Sequence, residues 1–292
     1  MPELIEWTTE LLREWIVEPK PEDDKYARGV LGVVTGSDRY PGAAVIGVEA
    51  ASRTGLGMLR YLGSERAASF VLQRRPEVVT ADGRVQAWLL GSGMDADALT
   101  THEGSLIDAA LRSSEPVAAD AGALRRVTAG GLHRGSGTGA GADDAWRVVV
   151  TPHARELLTM LSGLGVTADL DAVLADPSRF AAQVAERLGV VVLLKGTITH
   201  VLAPDGTGIT VTGGPAWLAT AGTGDALGGI LGALLATNAS RIAADHRVLA
   251  PIAASAALLH ALAGQAAAKD GPLVALDVAE AVRGVVAELL RD

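Results

Sequence analysis

Ala219-Thr220-Ala221-Gly222-Thr223-Gly224-Asp225-Ala226-Leu227-Gly228-Gly229 joins a glycine turn to an apolar run of helical spacing, with one acid at the junction. Gly222 and Gly224 carry no side chain, so successive backbone N–H groups can close around an anion. The helix that follows aims the positive end of its dipole at the same point. Asp225 has two readings: a cap on the helix that runs on through Leu235, or a base beside the anion. A cap needs no glycines before it, which favours the base.

Upstream of this turn, short β-branched runs alternate with helical patterns. Val30–Val34, Met58–Leu62, Ala87–Leu90, Pro116–Ala119, Val148–Val150 and Val190–Leu194 read as strands, with helices around Ala43–Arg53, Ala67–Gln73, Ala96–Leu111, Arg155–Leu161 and Phe180–Leu188. Continuous apolar strands separated by helices predict a mostly parallel sheet covered on both faces, with ligands bound beyond the carboxyl ends of its strands. After Leu194 the pattern changes. Thr199–Ala203 and Thr207–Thr212 flank the turn Pro204-Asp205-Gly206, which predicts an antiparallel hairpin delivering the chain to the glycine turn. Three helices follow: 225–236, 246–268 and 277–290.

The 292 residues are read as one α/β unit, residues 29–292, preceded by a helical arm and a Pro/Glu/Asp connector over residues 1–28. The net charge of −9 disfavours nucleic acid and anionic membrane surfaces as partners, so any phosphate site must be local. With no cysteine, disulfides, thiolate zinc sites and a cysteine nucleophile are excluded. The leading residues are acidic, without the basic head and apolar stretch of a signal peptide, which predicts a cytoplasmic protein. Pro251–Ala268 is apolar, yet Ala-rich and interrupted by His260 and Gln265, and is read as a buried core helix. The Gly135–Gly141 run follows no strand and is read as a surface loop.

Five segments lie where a strand ends and a turn begins. Thr35 to Ala44, with Tyr40-Pro41-Gly42-Ala43, leaves room for a flat ligand at the start of a helix; alone it is also an ordinary loop with Pro at a helix start. Gly91-Ser92-Gly93 is weak by itself. Thr151-Pro152-His153 opens a helix and sets Glu156 one turn on, where it could reach Mg²⁺ through water or merely balance the helix dipole. Lys195 follows the most apolar strand, a place where a solvated charge is improbable, and is suited to phosphate oxygens. The fifth segment is the glycine turn with Asp225. A lysine for phosphate, an anion nest, a carboxylate within it and roomy Gly/Ala turns together suit phosphoryl transfer from a nucleotide to a hydroxyl, with Asp225 taking the hydroxyl proton. The Walker lysine motif and the kinase Gly-rich loop are both absent.

In these five ordered motifs the chain resembles the ADP-dependent NAD(P)H-hydrate dehydratases of the ribokinase-like superfamily, from about Gly29 to the C-terminus. The resemblance implies a three-layer sandwich and a metabolite-repair lyase. In such enzymes ADP phosphorylates the hydroxyl of (6S)-NADHX or (6S)-NADPHX, and phosphate then leaves to restore the nicotinamide. It implies that Ala43, Gly93, His153 and Asp225 line the hydrate site, that Lys195, Gly196, Thr197, Ile198, Thr199, Gly222, Thr223 and Gly224 hold the adenine nucleotide, and that Glu156 serves Mg²⁺. Homo-oligomers, tetramers included, are implied as well. The family's GPGLG turn is here Gly91-Ser92-Gly93-Met94-Asp95, its Asp-Ala-Asp-Ala-Leu is Asp120-Ala121-Gly122-Ala123-Leu124, and an Asn expected before Gly214 and Pro215 is missing. The epimerase domain often fused ahead of the unit does not fit within 28 residues. Two other functions are compatible with the motifs: an ATP-dependent small-alcohol kinase of the hydroxyethylthiazole or hydroxymethylpyrimidine type, and a non-catalytic nucleotide sensor.

Overall fold

The computed structural model describes residues 4–130, 146–269 and 271–291; the Gly135–Gly141 run lies outside them. Among the described residues nine strands form one sheet: β1 (Leu4–Glu6), β2 (Val30–Val34), β3 (Met58–Tyr61), β4 (Ala87–Leu90), β5 (Val117–Ala119), β6 (Val148–Val150), β7 (Val191–Leu194), β8 (Thr199–Leu202) and β9 (Gly208–Val211). Their spatial order is β1-β9-β8-β7-β6-β5-β4-β2-β3. Within it only β8 runs against its neighbours, pairing antiparallel with both β7 and β9. This is the mostly parallel sheet with a late hairpin that the sequence predicts.

The helices are α1 (Thr9–Arg13), α2 (Pro41–Thr54), α3 (Glu65–Arg74), α4 (Thr101–Arg112), α5 (Leu124–Gly130), α6 (Ala154–Gly163), α7 (Leu170–Ala175), α8 (Pro177–Leu188), α9 (Thr223–Thr237), α10 (Ala239–Ala244), α11 (Leu249–Ala267) and α12 (Ala275–Leu289). They form the two outer layers. Successive strand residues point to opposite faces, and the core divides accordingly. Leu31, Val33, Leu89, Ala118, Val149, Val191 and Leu193 pack toward α2, α9, α11 and α12. Val34, Leu90, Ala119, Val150, Val192 and Leu194 pack toward α4, α5, α6 and α8. α11 is the one described helix long and apolar enough to cross a membrane, and it is largely buried. In the layer it shares with α9 and α12 it serves as core.

The leading residues differ from the predicted helical arm. Leu4–Glu6 add a parallel edge strand to β9, and only Thr9–Arg13 are helical. Trp7 Nε1 donates to Ser255 Oγ at 3.0 Å, and Leu12, Trp15 and Ile16 enter the core. Arg241 stacks over the Trp15 ring and donates to the Glu14 carbonyl at 2.7 Å.

Two helices position the site. α2 and α9 cross so closely that a Cβ at Gly229 would run into the Gly47 carbonyl. Both helices begin at the carboxyl edge of the parallel strands, so this crossing fixes Ala43, at the head of α2, relative to Asp225, at the head of α9.

Candidate active site

The glycine turn forms as its sequence requires. Gly222 caps α9 with φ 94°, a left-handed conformation that a side chain would strain. Thr223 Oγ1 donates to the carbonyls of Leu218 and Thr220, at 2.7 and 2.9 Å, tying the approach of the chain to the first helical turn. Asp225 therefore sits in that first turn, half-buried, with Oδ1 accepting a hydrogen bond from the Ser92 hydroxyl. Burial raises its pKa above the ordinary carboxylate range. Asp120 adds to the effect, while the Ser92 hydrogen bond and the Lys195 charge oppose it.

Lys195 leaves the end of β7 and reaches the same turn: a Cβ at Gly224 would lie 3.8 Å from its Nζ. Its ammonium donates to Asp120 Oδ1 at 2.8 Å and stands 3.8 Å from Glu156 Oε2. Burial alone would lower its pKa, but the carboxylates of Asp120 and Glu156 outweigh burial and raise it, favouring the ammonium form. Asp120, itself buried at the end of β5, also accepts from Thr151 Oγ1 at 2.8 Å.

His153 caps α6. Its Nδ1 accepts from the backbone of Arg155 and Glu156, both at 3.2 Å, while the His153 backbone N–H donates to Glu156 Oε2 at 2.8 Å. With Nδ1 an acceptor, the neutral ring carries its proton on Nε2. The Lys195 N–H donates to the Pro152 carbonyl at 2.9 Å, bridging the ends of β6 and β7. Gly93 and Ala43 touch across the far wall, where a Cβ at Gly93 would collide with that of Ala43.

Ala43, Gly93, His153, Lys195, the glycine turn and Asp225 all stand along the carboxyl ends of the parallel strands. Gly196, Thr197 and Ile198 form the exposed start of the hairpin, and Thr199 opens β8. Glu156 lies beside Lys195 with one oxygen committed to the His153 cap. Among the described residues no group of three or more His, Asp or Glu is close enough to hold a metal by itself. Ser92, Asp120 and Thr151 lie within the quoted motifs, but their sequence reading assigned them no role. The signal was there for Asp120, an acid directly after a buried parallel strand.

The protein-family model described as NAD(P)H-hydrate dehydratase matches residues 31–283. The bifunctional NAD(P)H-hydrate repair enzyme Nnr of Mycobacterium tuberculosis is 39% identical over 234 residues, covering 78% of this chain and 45% of that protein. The chain thus spans about half the length of that relative. The ADP-dependent (S)-NAD(P)H-hydrate dehydratase of Bacillus subtilis is 30% identical over 237 residues, 77% of this chain and 79% of that one. Among solved structures, the ADP/ATP-dependent NAD(P)H-hydrate dehydratase from Bacillus subtilis, co-crystallised with ATP/Mg²⁺, aligns with a TM-score of 0.79 over 98% of this chain and 99% of that chain. At 24% identity this shows a shared fold.

Proposed function

The chain belongs to the NAD(P)H-hydrate dehydratase family, and on that premise we propose that it returns the (6S) hydrates of NADH and NADPH to the reduced dinucleotides, with ADP as phosphoryl donor. One observation carries the reading: a cation, Lys195, and a carboxylate with raised proton affinity, Asp225, meet at a single glycine turn. A site that only bound nucleotide would have no use for a half-buried acid there, because the acid repels the phosphate.

In this reading Asp225 takes the proton of the hydrate hydroxyl, and the freed oxygen attacks the terminal phosphorus of ADP. The bond from that phosphorus to the bridging oxygen breaks, releasing AMP. Phosphate then leaves the ring carbon, a neighbouring carbon gives up a proton, and the ring double bond is restored. Hydrate and ADP thus become NAD(P)H, AMP and phosphate. Lys195 and the N–H groups at the head of α9 hold the charge that develops on the phosphoryl group. Lys195 to Thr199 with Gly222, Thr223 and Gly224 seat the nucleotide. Ala43, Gly93 and His153 wall the hydrate side. Glu156 would hold Mg²⁺ through water, and the ion would neutralise phosphate charge there.

We further assign residues 29–292 as the catalytic unit, preceded by residues 1–28 as an arm and linker, and place the protein in the cytoplasm as a homo-oligomer, tetramers included, which sedimentation of the purified protein reads directly. The activity is tested by incubating the protein with NADPH hydrate, Mg²⁺ and either ADP or ATP while following reduced-nicotinamide absorbance. Recovery with ADP supports the dehydratase. A stable phosphorylated alcohol without NADPH would point to a kinase, and nucleotide binding without any turnover to a sensor.

A further inference from the structure

Gly91-Ser92-Gly93 ends β4 at the rim of the site, and Ser92 is only 1% exposed. Its carbonyl accepts from the Gly36 N–H at 2.7 Å, and the Gly93 carbonyl accepts from the Ser37 hydroxyl at 3.0 Å. Both flanking glycines are left-handed, with φ 89° and 66°. A Cβ at Gly91 would collide with the Asp120 carbonyl and the Ala123 backbone. The loop is pinned on both sides, and the side chain it presents to Asp225 is the Ser92 hydroxyl, which donates to Oδ1. The other carboxylate oxygen lies toward the anion turn: a Cβ at Gly222 would stand 3.8 Å from Oδ2.

We propose that Ser92 is a positioning residue for Asp225, engaging Oδ1 so that Oδ2 is the oxygen turned to the glycine turn and the substrate hydroxyl. This rests on Asp225 being the base. The groups around Asp225 leave Ser92 a distinct part. Burial and Asp120, from the end of β5, raise its proton affinity, and Ser92 and Lys195, from the end of β7, lower it. α2 meets Asp225 through uncharged Gly47. His260, on α11 beside Thr223, has its pKa pushed down to about 4 by burial and stays neutral. Glu156 stands 3.8 Å from Lys195 Nζ and is engaged with His153, and neither is among the groups that shift Asp225. Ser92 is therefore the neutral donor on this carboxylate among the described residues.

The test uses the full chain with Ser92→Ala, Ser92→Cys and Ser92→Thr. The Asp225 carboxyl carbon, labelled with ¹³C and assigned by its loss in Asp225→Asn, is titrated by NMR, and kcat/KM for hydrate turnover is profiled against pH. Losing a hydroxyl that favours the ionised form moves the Asp225 midpoint up by about one pH unit in Ser92→Ala, and the acid limb of kcat/KM moves with it. kcat on the plateau falls about tenfold as Oδ2 loses its orientation. Ser92→Cys, of similar size with a weak donor, shifts the same way. Ser92→Thr restores the wild-type midpoint. An unmoved carboxyl titration in Ser92→Ala and Ser92→Cys overturns the inference, and so does a loss of rate uniform in pH. A wild-type chain that turns over no hydrate while the titration still moves would instead sink the dehydratase reading and leave the Ser92 effect on Asp225 in place.

Discussion

Gly222, Gly224 and Gly284 meet an added methyl group in three different ways, so alanine at each separates backbone strain from blocked ligand space. At Gly222 the backbone is left-handed, and a Cβ would stand 2.9 Å from Ala275 Cβ and 3.0 Å from Ile46 Cδ1. The left-handed conformation costs alanine about 1–2 kcal/mol. Relieving the two contacts requires a shift of roughly 0.5–1 Å, given optimal carbon separations near 3.5–4.0 Å, with an overpacking cost of about 1–3 kcal/mol. Gly222→Ala should therefore lose roughly 2–5 kcal/mol, a fall in Tm of about 4–20 °C at the per-kcal/mol shift of larger domains. The same shift moves Asp225, and a displacement of about 1 Å at a catalytic group costs turnover on the order of 100-fold.

At Gly224 the φ angle is ordinary, and the nearest atom to a Cβ is Lys195 Nζ at 3.8 Å. Gly224→Ala should hold or slightly raise stability through helix propensity, yet raise KM for ADP by filling the space between lysine and nest. At Gly284, on the exposed side of α12, nothing lies within 4 Å. Gly284→Ala should gain about 0.5–1 kcal/mol with unchanged kinetics. Urea unfolding and steady-state kinetics on the three variants read all of this. A Gly222→Ala protein as stable as Gly284→Ala would refute the strain assigned to the turn, and a Gly224→Ala protein with wild-type KM for ADP would remove the nucleotide from it.

The fully buried Glu49 carboxylate has a pKa of about 2, because Arg75, Arg53 and Arg74 outweigh the burial that would raise it. Its folded pKa lies below the ordinary 4.5, so about 3 kcal/mol of stability is present above pH 4.5 and lost as pH falls toward 2; Glu49→Gln should lose about that at pH 7 and flatten the acid limb of a stability profile. Asp225→Asn should abolish turnover by at least about 100-fold while ADP binding, read by calorimetry, persists. Because burial raises the Asp225 pKa, its charge destabilises the fold at neutral pH, so the same variant should melt higher than wild type; a lower Tm would contradict the assigned direction. Lys195→Ala should raise KM for ADP at least about tenfold and destabilise the chain by leaving Asp120 unpaired; adding Asp120→Asn should restore stability without restoring KM.

The strands were legible because parallel sheets buried on both faces leave near-continuous apolar runs. β2, β4 and β6 coincide with the runs Val30–Val34, Ala87–Leu90 and Val148–Val150. β1 was not. Its three residues are exposed, acid-flanked and extended only because β9 offers an edge, a non-local cause that local pattern does not carry. α4 begins at Thr101, later than the apolar pattern from Ala96 suggests, and the capping box Thr100-x-x-Glu103 marks that start. The short helices α5, α7 and α10 are too brief for a period to register. In the site, Lys195, His153 and Glu156 could be read because each follows a strand end. The partnerships could not: Ser92 meets Asp225 across 133 positions of sequence, and Asp120 meets Lys195 across 75. Only the closing of the sheet and the crossing of α2 with α9 bring them together.

Two carboxylates reach the head of α9, and their partners divide the labour. Asp120 is held at 2.8 Å by both the Lys195 ammonium and the Thr151 hydroxyl. Both bonds fall on Oδ1, so Asp120 is fitted to fixing the lysine that, in the proposed reading, faces phosphate. Asp225 has a neutral hydroxyl on one oxygen, burial around it and a negative neighbour in Asp120. Each of the last two raises its readiness to accept a proton. The same lysine that ties down the first carboxylate also acts on the second, where its charge opposes the upward push of burial and Asp120. Separating the two acids in this way needs the ends of β5, β7 and α9 to converge on one turn. That convergence, more than any single motif, is what supports the proposal that a hydroxyl loses its proton at the glycine turn beside a phosphate.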